Sequence, residues 1–200
     1  MPLSEFASLG VSEYTVSDIS ERELIKAPAG YRKICADICS PDLTLEPGYD
    51  LVISRSVAEH VKDPVQFHRN IHKLLSPGGR AFHFFPTLFW YGFLLNRIIP
   101  ENIGGKLLRL LTPDRTENGH ADKFPAYYRW TYGPLRFQMR RFEKLGYEIE
   151  TYNGFFGHGY YNRIPIVRGV HNRFANWLIK HPIPALTTNA YLVLRKPESS

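Results

Sequence analysis

Cysteine is nearly absent from this chain: Cys35 and Cys39 are the only two among 200 residues. With three residues between them they match neither a redox CxxC pair nor a zinc knuckle, and so few cysteines suit a reduced, intracellular setting. No uninterrupted apolar run is long enough to cross a bilayer, because the longest apolar stretch is broken by Asn96, Arg97, Pro100 and the pair Gly104-Gly105. No basic-then-apolar leader opens the chain; Pro2 to Ser20 is mixed and mildly acidic, and the expectation is a cytoplasmic protein. A glycine-rich phosphate loop after a strand is also missing: Gly78-Gly79 follows a helical pattern and Gly104-Gly105 follows no strand. His68 and His72 share a helix face at i, i+4, yet no HExxH glutamate or third ligand accompanies them, so no metal is expected. The pattern of an RRM, KH, helix-turn-helix or zinc-finger module is absent too, which argues against nucleic acid as the partner.

What is present reads as one globular domain. Hydrophobic residues make up 44% and aromatics 14%, too much for a disordered chain and enough for a sizeable core. The net charge of +6 is lopsided: residues 1–90 carry 9 Lys/Arg against 11 Asp/Glu, and residues 91–200 carry 16 against 8. The basic half is also rich in Tyr, Phe and Trp. Such a surface attracts anionic substrates or lipid headgroups, or is simply solvated.

The stretch from Tyr49 to Thr87 organises the chain. Asp50 to Ser54 is a short apolar, β-branched run, as in a strand buried on both faces. Asp63-Pro64-Val65-Gln66 is a helix start, with Asp as N-cap, Pro at the first helical position and Gln three residues after the cap. Phe67, Ile71, Leu74 and Leu75 then line one helix face. Ser76 to Gly79 stops the helix, and Arg80 to Phe85 is extended again. Strand, crossover helix and strand make a βαβ unit with a parallel sheet.

Upstream, Ser4 to Leu9 reads as the last turn of a helix closed by Gly10. Glu13 to Asp18 is a short strand, Glu21 to Ala27 a helical turn or two, and Tyr31 to Asp37 a strand again ending in an acid. Downstream, Pro134 to Gly146 is a helix whose stripe Leu135, Met139, Phe142 faces the sheet. Tyr147 to Tyr152 alternates as a strand, and Asn153 to Tyr161 is a glycine- and aromatic-rich segment. Val167, Val170, Phe174, Trp177 and Leu178 mark a further helix, and Asn189 to Leu194 a last strand.

Four segments in this order, SDIS at 17–20, ADIC at 36–39, YDLVISRSVAEHV at 49–61 and LLSPGGRAFHFFPT at 74–87, resemble the class I S-adenosylmethionine-dependent methyltransferases, specifically the type 11 subgroup. The resemblance covers residues 10–90 well and thereafter only the order of strands. It implies an α/β, Rossmann-like, doubly wound and mostly parallel sheet over residues 1–200, with helical insertions after residue 86 and around 165–180. It implies S-adenosylmethionine as cofactor: Asp18 on the ribose hydroxyls with Ile19 against the adenine, Asp37 on the adenine amino group with Ile38 beside it. Ser54, Arg55 and Ser56 wall the methionine part. Taken alone, each acid reads more readily as a cap or turn residue; as a spaced pair before the βαβ unit they favour the cofactor.

One departure is large. The family's GxGxG loop and the strand before it, which lies between the strands ending at Asp18 and Ser54, are not in this sequence. Three explanations are open: a fragment of a longer gene product, a strand supplied by another chain, or a remnant without catalysis. The first is preferred because both acidic strand ends persist, and a chain without the loop is expected to bind the cofactor poorly.

Residues 86–132 are expected to form a helical lid, or else residues 88–111 lie on a membrane surface with Arg97, Lys106 and Arg109 near headgroups. Methyl transfer from a sulfonium needs alignment and exclusion of water, and a base only if the acceptor must lose a proton. His60, beside Glu59 in the loop after the strand, is the candidate base, with His83, His120 and His158 as weaker ones; His83 reads as a satisfied core histidine. His158 and Tyr160 are candidate substrate contacts. The aromatic, basic second half suggests a small-molecule, lipid or glycan-type acceptor.

Overall fold

Asp63 opens its helix as the sequence requires. Its Oδ1 accepts from the Gln66 amide at 3.0 Å and Pro64 takes the first helical position. The Gln66 side chain does not complete a capping box; its Nε2 donates instead to Asn70 Oδ1 at 2.8 Å, one turn on.

The computed structural model describes residues 10–88, 125–157 and 165–198. Its elements, in order, are β1 (Thr15–Asp18), α1 (Glu21–Ile25), β2 (Arg32–Cys35), β3 (Tyr49–Arg55), a 3-10 turn (Ala58–His60), α2 (Pro64–Leu74), β4 (Leu75–Pro86), α3 (Arg136–Glu143), β5 (Glu148–Phe155), α4 (Pro165–Lys180), a second 3-10 turn (Pro184–Leu186) and β6 (Asn189–Arg195). The expected helix over Ser4 to Leu9 and the lid over 86–132 fall mainly outside the described residues; 125–132, which are described, hold no helical turn.

The strands form two sheets. β1 and β2 pair in parallel, and a second sheet runs β3-β4-β6-β5. Within it β3 and β4 are parallel, closing the βαβ unit through α2, while β6 is antiparallel to both β4 and β5. The break falls where one strand would join β1 to β3 in a continuous doubly wound sheet. Among the described residues nothing fills it.

The Ser76 to Gly79 segment differs from its expected role. The chain leaves α2 at Leu75 in extended conformation, and the Ser-Pro-Gly-Gly run lies inside β4 as a bulge: Tyr49 pairs with Leu75, but Leu51 already pairs with Arg80. Glycine is required there. Gly78 has φ of 77°, and a Cβ on Gly79 would lie 2.8 Å from the Ser76 carbonyl oxygen. The bulge is pinned to the chain end of β6 by Gly78 N–H to Lys196 O at 3.0 Å and Lys196 N–H to Gly79 O at 2.9 Å.

The core lies on one face of the four-stranded sheet. Phe67 and Ile71 of α2 and Phe142 of α3 cluster with Ala81, Phe85, Tyr152, Ala190, Leu192 and Leu194 from the strands. Each fully buried large side chain contributes about 1.5–3 kcal/mol. The opposite face is open: Leu51 and Ile53 of edge strand β3 are 52% and 54% exposed, and Phe82 stacks on Tyr191 at 5.9 Å.

Two elements add detail to the sequence pattern. The expected helix is present as α4; among its described side chains His171, Ala175 and Leu178 are buried, whereas Val170, Phe174 and Trp177 are exposed. Phe174 and Trp177 instead stack on each other, 6.0 Å apart, along the outer flank. The expected strand from Tyr147 is longer than its alternation suggested: β5 continues through Asn153 and Gly154 to Phe155, which shortens the glycine-rich segment. Gly154 is admissible in that strand because its bare Cα faces Thr187, whose side chain a Cβ would strike.

Candidate functional site

In an open α/β sheet, ligands lie beyond the carboxyl ends of the parallel strands. Asp18 is the last residue of β1, and Asp37 lies two residues beyond β2, whose end is held to β1 by Ala36 N–H to Asp18 O at 3.0 Å. The two acids therefore leave neighbouring strands on the same side. Each spends one oxygen on its own turn: Asp18 Oδ1 accepts from Ser20 N at 2.8 Å and Asp37 Oδ1 from Cys39 N at 2.8 Å. Ile19 is exposed beside Asp18, and Ile38 packs against the core cluster.

Ser54, Arg55 and Ser56 are at the carboxyl end of β3, in the other sheet. Ser54 is buried and its hydroxyl lies 2.7 Å from His83 Nδ1, so this side chain is committed to the protein interior. Burial pushes the His83 imidazole down to about 4, which keeps the ring neutral. His83 is thus a core residue, as expected, although only its Nδ1 is satisfied; Nε2 has no partner among the described residues. Ser56 takes a φ of 54°, unusual for a residue with a side chain, and its amide donates to Phe84 O at 2.8 Å.

A residue that the sequence did not single out ties the two groups together. Asn70 of α2, buried, donates from Nδ2 to Ile38 O at 2.8 Å and to Ser40 O at 2.7 Å. It holds the loop after β2 against the helix that follows β3. Its signal was only the Gln66/Asn70 spacing of i, i+4 on a mainly apolar helix.

His60 stands in the 3-10 turn after β3. Its Nδ1 is 3.0 Å from the Pro125 carbonyl, and because a carbonyl only accepts, Nδ1 carries a proton; Nε2 lies 3.8 Å from the Glu59 carboxylate. Glu59 beside it is buried, and burial raises its carboxyl pKa, partly opposed by its backbone hydrogen bond and by His60. The Glu59 carbonyl accepts from the amides of Tyr127 and Tyr128 at 2.7 and 3.0 Å. These bonds dock the loop 125–132 onto the turn.

That docking encloses a cleft of about 470 Å³ over the first turn of α2, with Lys62, Asp63, Arg129, Trp130, Tyr132 and Arg141 among its walls. Neither Asp18 nor Asp37 lines it. His68 and His72 share a helix face as expected, both edge-on to Tyr147; His68 also stacks on Trp130 at 6.0 Å and lies 4.9 Å from Phe142, and burial holds its pKa well below the usual range. His120, His158, Tyr160 and residues 89–111 lie outside the described residues.

Residues 1–83 match the model of a family described as a methyltransferase domain. No curated protein matches the chain. Among solved structures, an S-adenosylmethionine-dependent methyltransferase from Mesorhizobium loti is similar at 16% identity with a TM-score of 0.57, over 97% of this chain and 85% of that one. A methyltransferase of the same dependence from Archaeoglobus fulgidus is similar at 14% identity and TM-score 0.54, over 97% and 80%. The [4+2]-cyclase SpnF is similar at 15% identity and TM-score 0.52, over 97% and 70%. Identities this low show the fold, and a cyclase among the neighbours makes plain that the fold does not settle the reaction. Strand order and the βαβ unit agree with the methyltransferase-domain model that residues 1–83 match, and the similarity to the solved structures shows a Rossmann-like methyltransferase fold.

Proposed function

We propose that this protein takes part in methyl transfer from S-adenosylmethionine to a small-molecule, lipid or glycan-type acceptor. The observation that carries the proposal is the placement of Asp18 and Asp37 at the carboxyl ends of adjacent parallel strands, a position suited to a nucleoside. Asp18 would accept from the ribose hydroxyls and Asp37 from the adenine amino group, with Ile19 and Ile38 as apolar neighbours; Arg55 and Ser56 would stand near the methionine part. The cofactor supplies an already activated methyl group, so the residues of this chain align the acceptor and exclude water. His60, its Nδ1 proton held on the Pro125 carbonyl, would take the acceptor's proton on Nε2 where one must leave.

A second interpretation, a methyltransferase-like subunit without catalysis, is favoured by one specific observation: the gap between β1 and β3, matched in the sequence by the missing glycine loop. Calorimetric titration with S-adenosylhomocysteine discriminates. We expect weak saturable binding, Kd above ~100 μM, that Asp18→Asn weakens about tenfold by removing a charged acceptor. Micromolar affinity would show that the missing loop is dispensable; no binding at millimolar ligand would favour the non-catalytic subunit. Genomic sequence upstream of Met1 is the companion test, since an in-frame strand with GxGxG favours the enzyme.

A further inference from the structure

The cleft over the first turn of α2 gathers three cations from three separate parts of the chain: Lys62 just before the helix cap, Arg129 from the docked loop and Arg141 from α3. All three are braced: Lys62 Nζ lies 5.7 Å over the Tyr127 ring. Arg129 Nη1 donates to Lys62 O at 2.7 Å. The Arg141 guanidinium lies 5.3 Å over Trp130, 5.8 Å over Tyr132 and 5.1 Å over Phe137, and its Nη1 donates to Gln138 Oε1 at 3.1 Å. Gln138 in turn donates from Nε2 to Trp130 O at 2.8 Å, which fixes the loop that carries Arg129.

The loop maintains this arrangement against its own backbone preference. Tyr128 and Trp130 have φ of 50° and 62°, left-handed values that bulky residues avoid at a cost of order 1–3 kcal/mol each. Strain retained beside a cleft is a pointer to binding rather than to packing alone. The charge is also only partly offset, three cations standing against the single carboxylate of Asp63 in the same wall. Asp63, the acid in the wall, has Oδ1 engaged in capping the Gln66 amide, and none of the ion pairs among the described residues includes Lys62, Arg129 or Arg141.

Three held cations against one carboxylate, lining a cleft next to the turn that carries His60, call for an anion. We infer that the cleft between Lys62, Arg129 and Arg141 binds the anionic group, carboxylate or phosphate, of the methyl acceptor. The inference rests on the methyltransferase proposal for the word acceptor, and on the cleft alone for the word anion. A planar guanidinium suits a carboxylate or phosphate through paired N–H donors, while Trp130 and Tyr132 offer apolar surface to the body of the molecule.

The test is binding to the full 200-residue chain of benzoate and phenyl phosphate against neutral benzamide, followed by NMR or calorimetry at low ionic strength. The anions should bind at least tenfold tighter than benzamide, and the preference should shrink as salt rises. Lys62→Gln with Arg129→Gln, both at exposed positions, should abolish that preference without loss of fold. Arg141→Lys, which keeps charge but loses the planar fork, should weaken it severalfold. Equal affinity for benzamide, or anion binding unchanged in the double variant, overturns the inference. So does retention on phosphatidic acid vesicles without affinity for soluble phenyl phosphate, which would make the patch a membrane contact. Anion binding without S-adenosylhomocysteine binding keeps the cleft and removes the cofactor proposal; the converse keeps the cofactor and removes the cleft.

Discussion

Ser54 and His83 are directly opposite each other in the parallel β3–β4 ladder, and the Ser54 hydroxyl lies 2.7 Å from His83 Nδ1 in the buried interior. The pair joins the strand end that would face the cofactor to the centre of the sheet. Ser54→Ala leaves a buried imidazole nitrogen without its partner, and the expected loss is about 1–3 kcal/mol in urea unfolding. A variant as stable as the parent would mean that the pair is not formed.

The same ring makes stability depend on pH. Burial lowers His83 from 6.5 to about 4, so as pH falls between these values the unfolded chain gains a proton that the native chain refuses. Stability present above pH 6.5 is therefore lost toward pH 4, by about 3 kcal/mol for a shift of this size. His68, also lowered by burial, acts in the same direction. Urea midpoints measured from pH 7 to 4.5 should fall, and less steeply in His83→Gln. Parallel losses in both proteins would remove His83 from the account.

The loop that carries Trp130 is seated by Gly133. A Cβ there would collide with the Pro184 carbonyl and the Thr187 hydroxyl, so Gly133→Ala forces the loop away from the turn before β6. Overpacking of this kind costs about 1–3 kcal/mol, and the displaced loop should also lose the anion preference of the cleft. Thermal unfolding and the benzoate titration read the two effects separately.

Cys35 and Cys39 should differ in reactivity although they are near in sequence. Cys35 is exposed, whereas burial first, and then the charges of Asp37 and Asp63, push the Cys39 thiol up to about 11. At pH 8 only about a thousandth of Cys39 is thiolate, so iodoacetamide should label Cys35 first and Cys39 far more slowly. Equal rates by mass spectrometry would contradict the placement of Cys39.

Among the described residues the outer edge of β3 is unpaired, and the strand carries Leu51 and Ile53, both more than half exposed. Edge strands of this kind invite pairing with another chain. The protein should self-associate with concentration in light scattering, and Ile53→Lys should suppress this with little cost in stability. A monodisperse parent at high concentration would show that the edge is covered.

Much of this was legible in the sequence because it rests on local rules. Asp63-Pro64 starts α2, Phe67 and Ile71 face inward, the acids end or closely follow their strands, and the missing glycine loop has its counterpart in the break between β1 and β3. Each of these signals spans a few residues, within reach of caps, turns and the 3.6 and 2.0 periods. The inward face of α4 was not legible, because two of its large apolar residues, Phe174 and Trp177, stack on each other outside while His171, Ala175 and Leu178 pack within. The Ser-Pro-Gly-Gly bulge depends on Lys196, the loop after β2 on Asn70, and the cleft on Lys62 meeting Arg129 across 67 positions. Periodicity carries no information about which distant segments share a surface. The sequence by itself determined the elements and their order; the tertiary structure alone decided the assembly of the cationic cleft, because it depends on packing between segments that no local preference links.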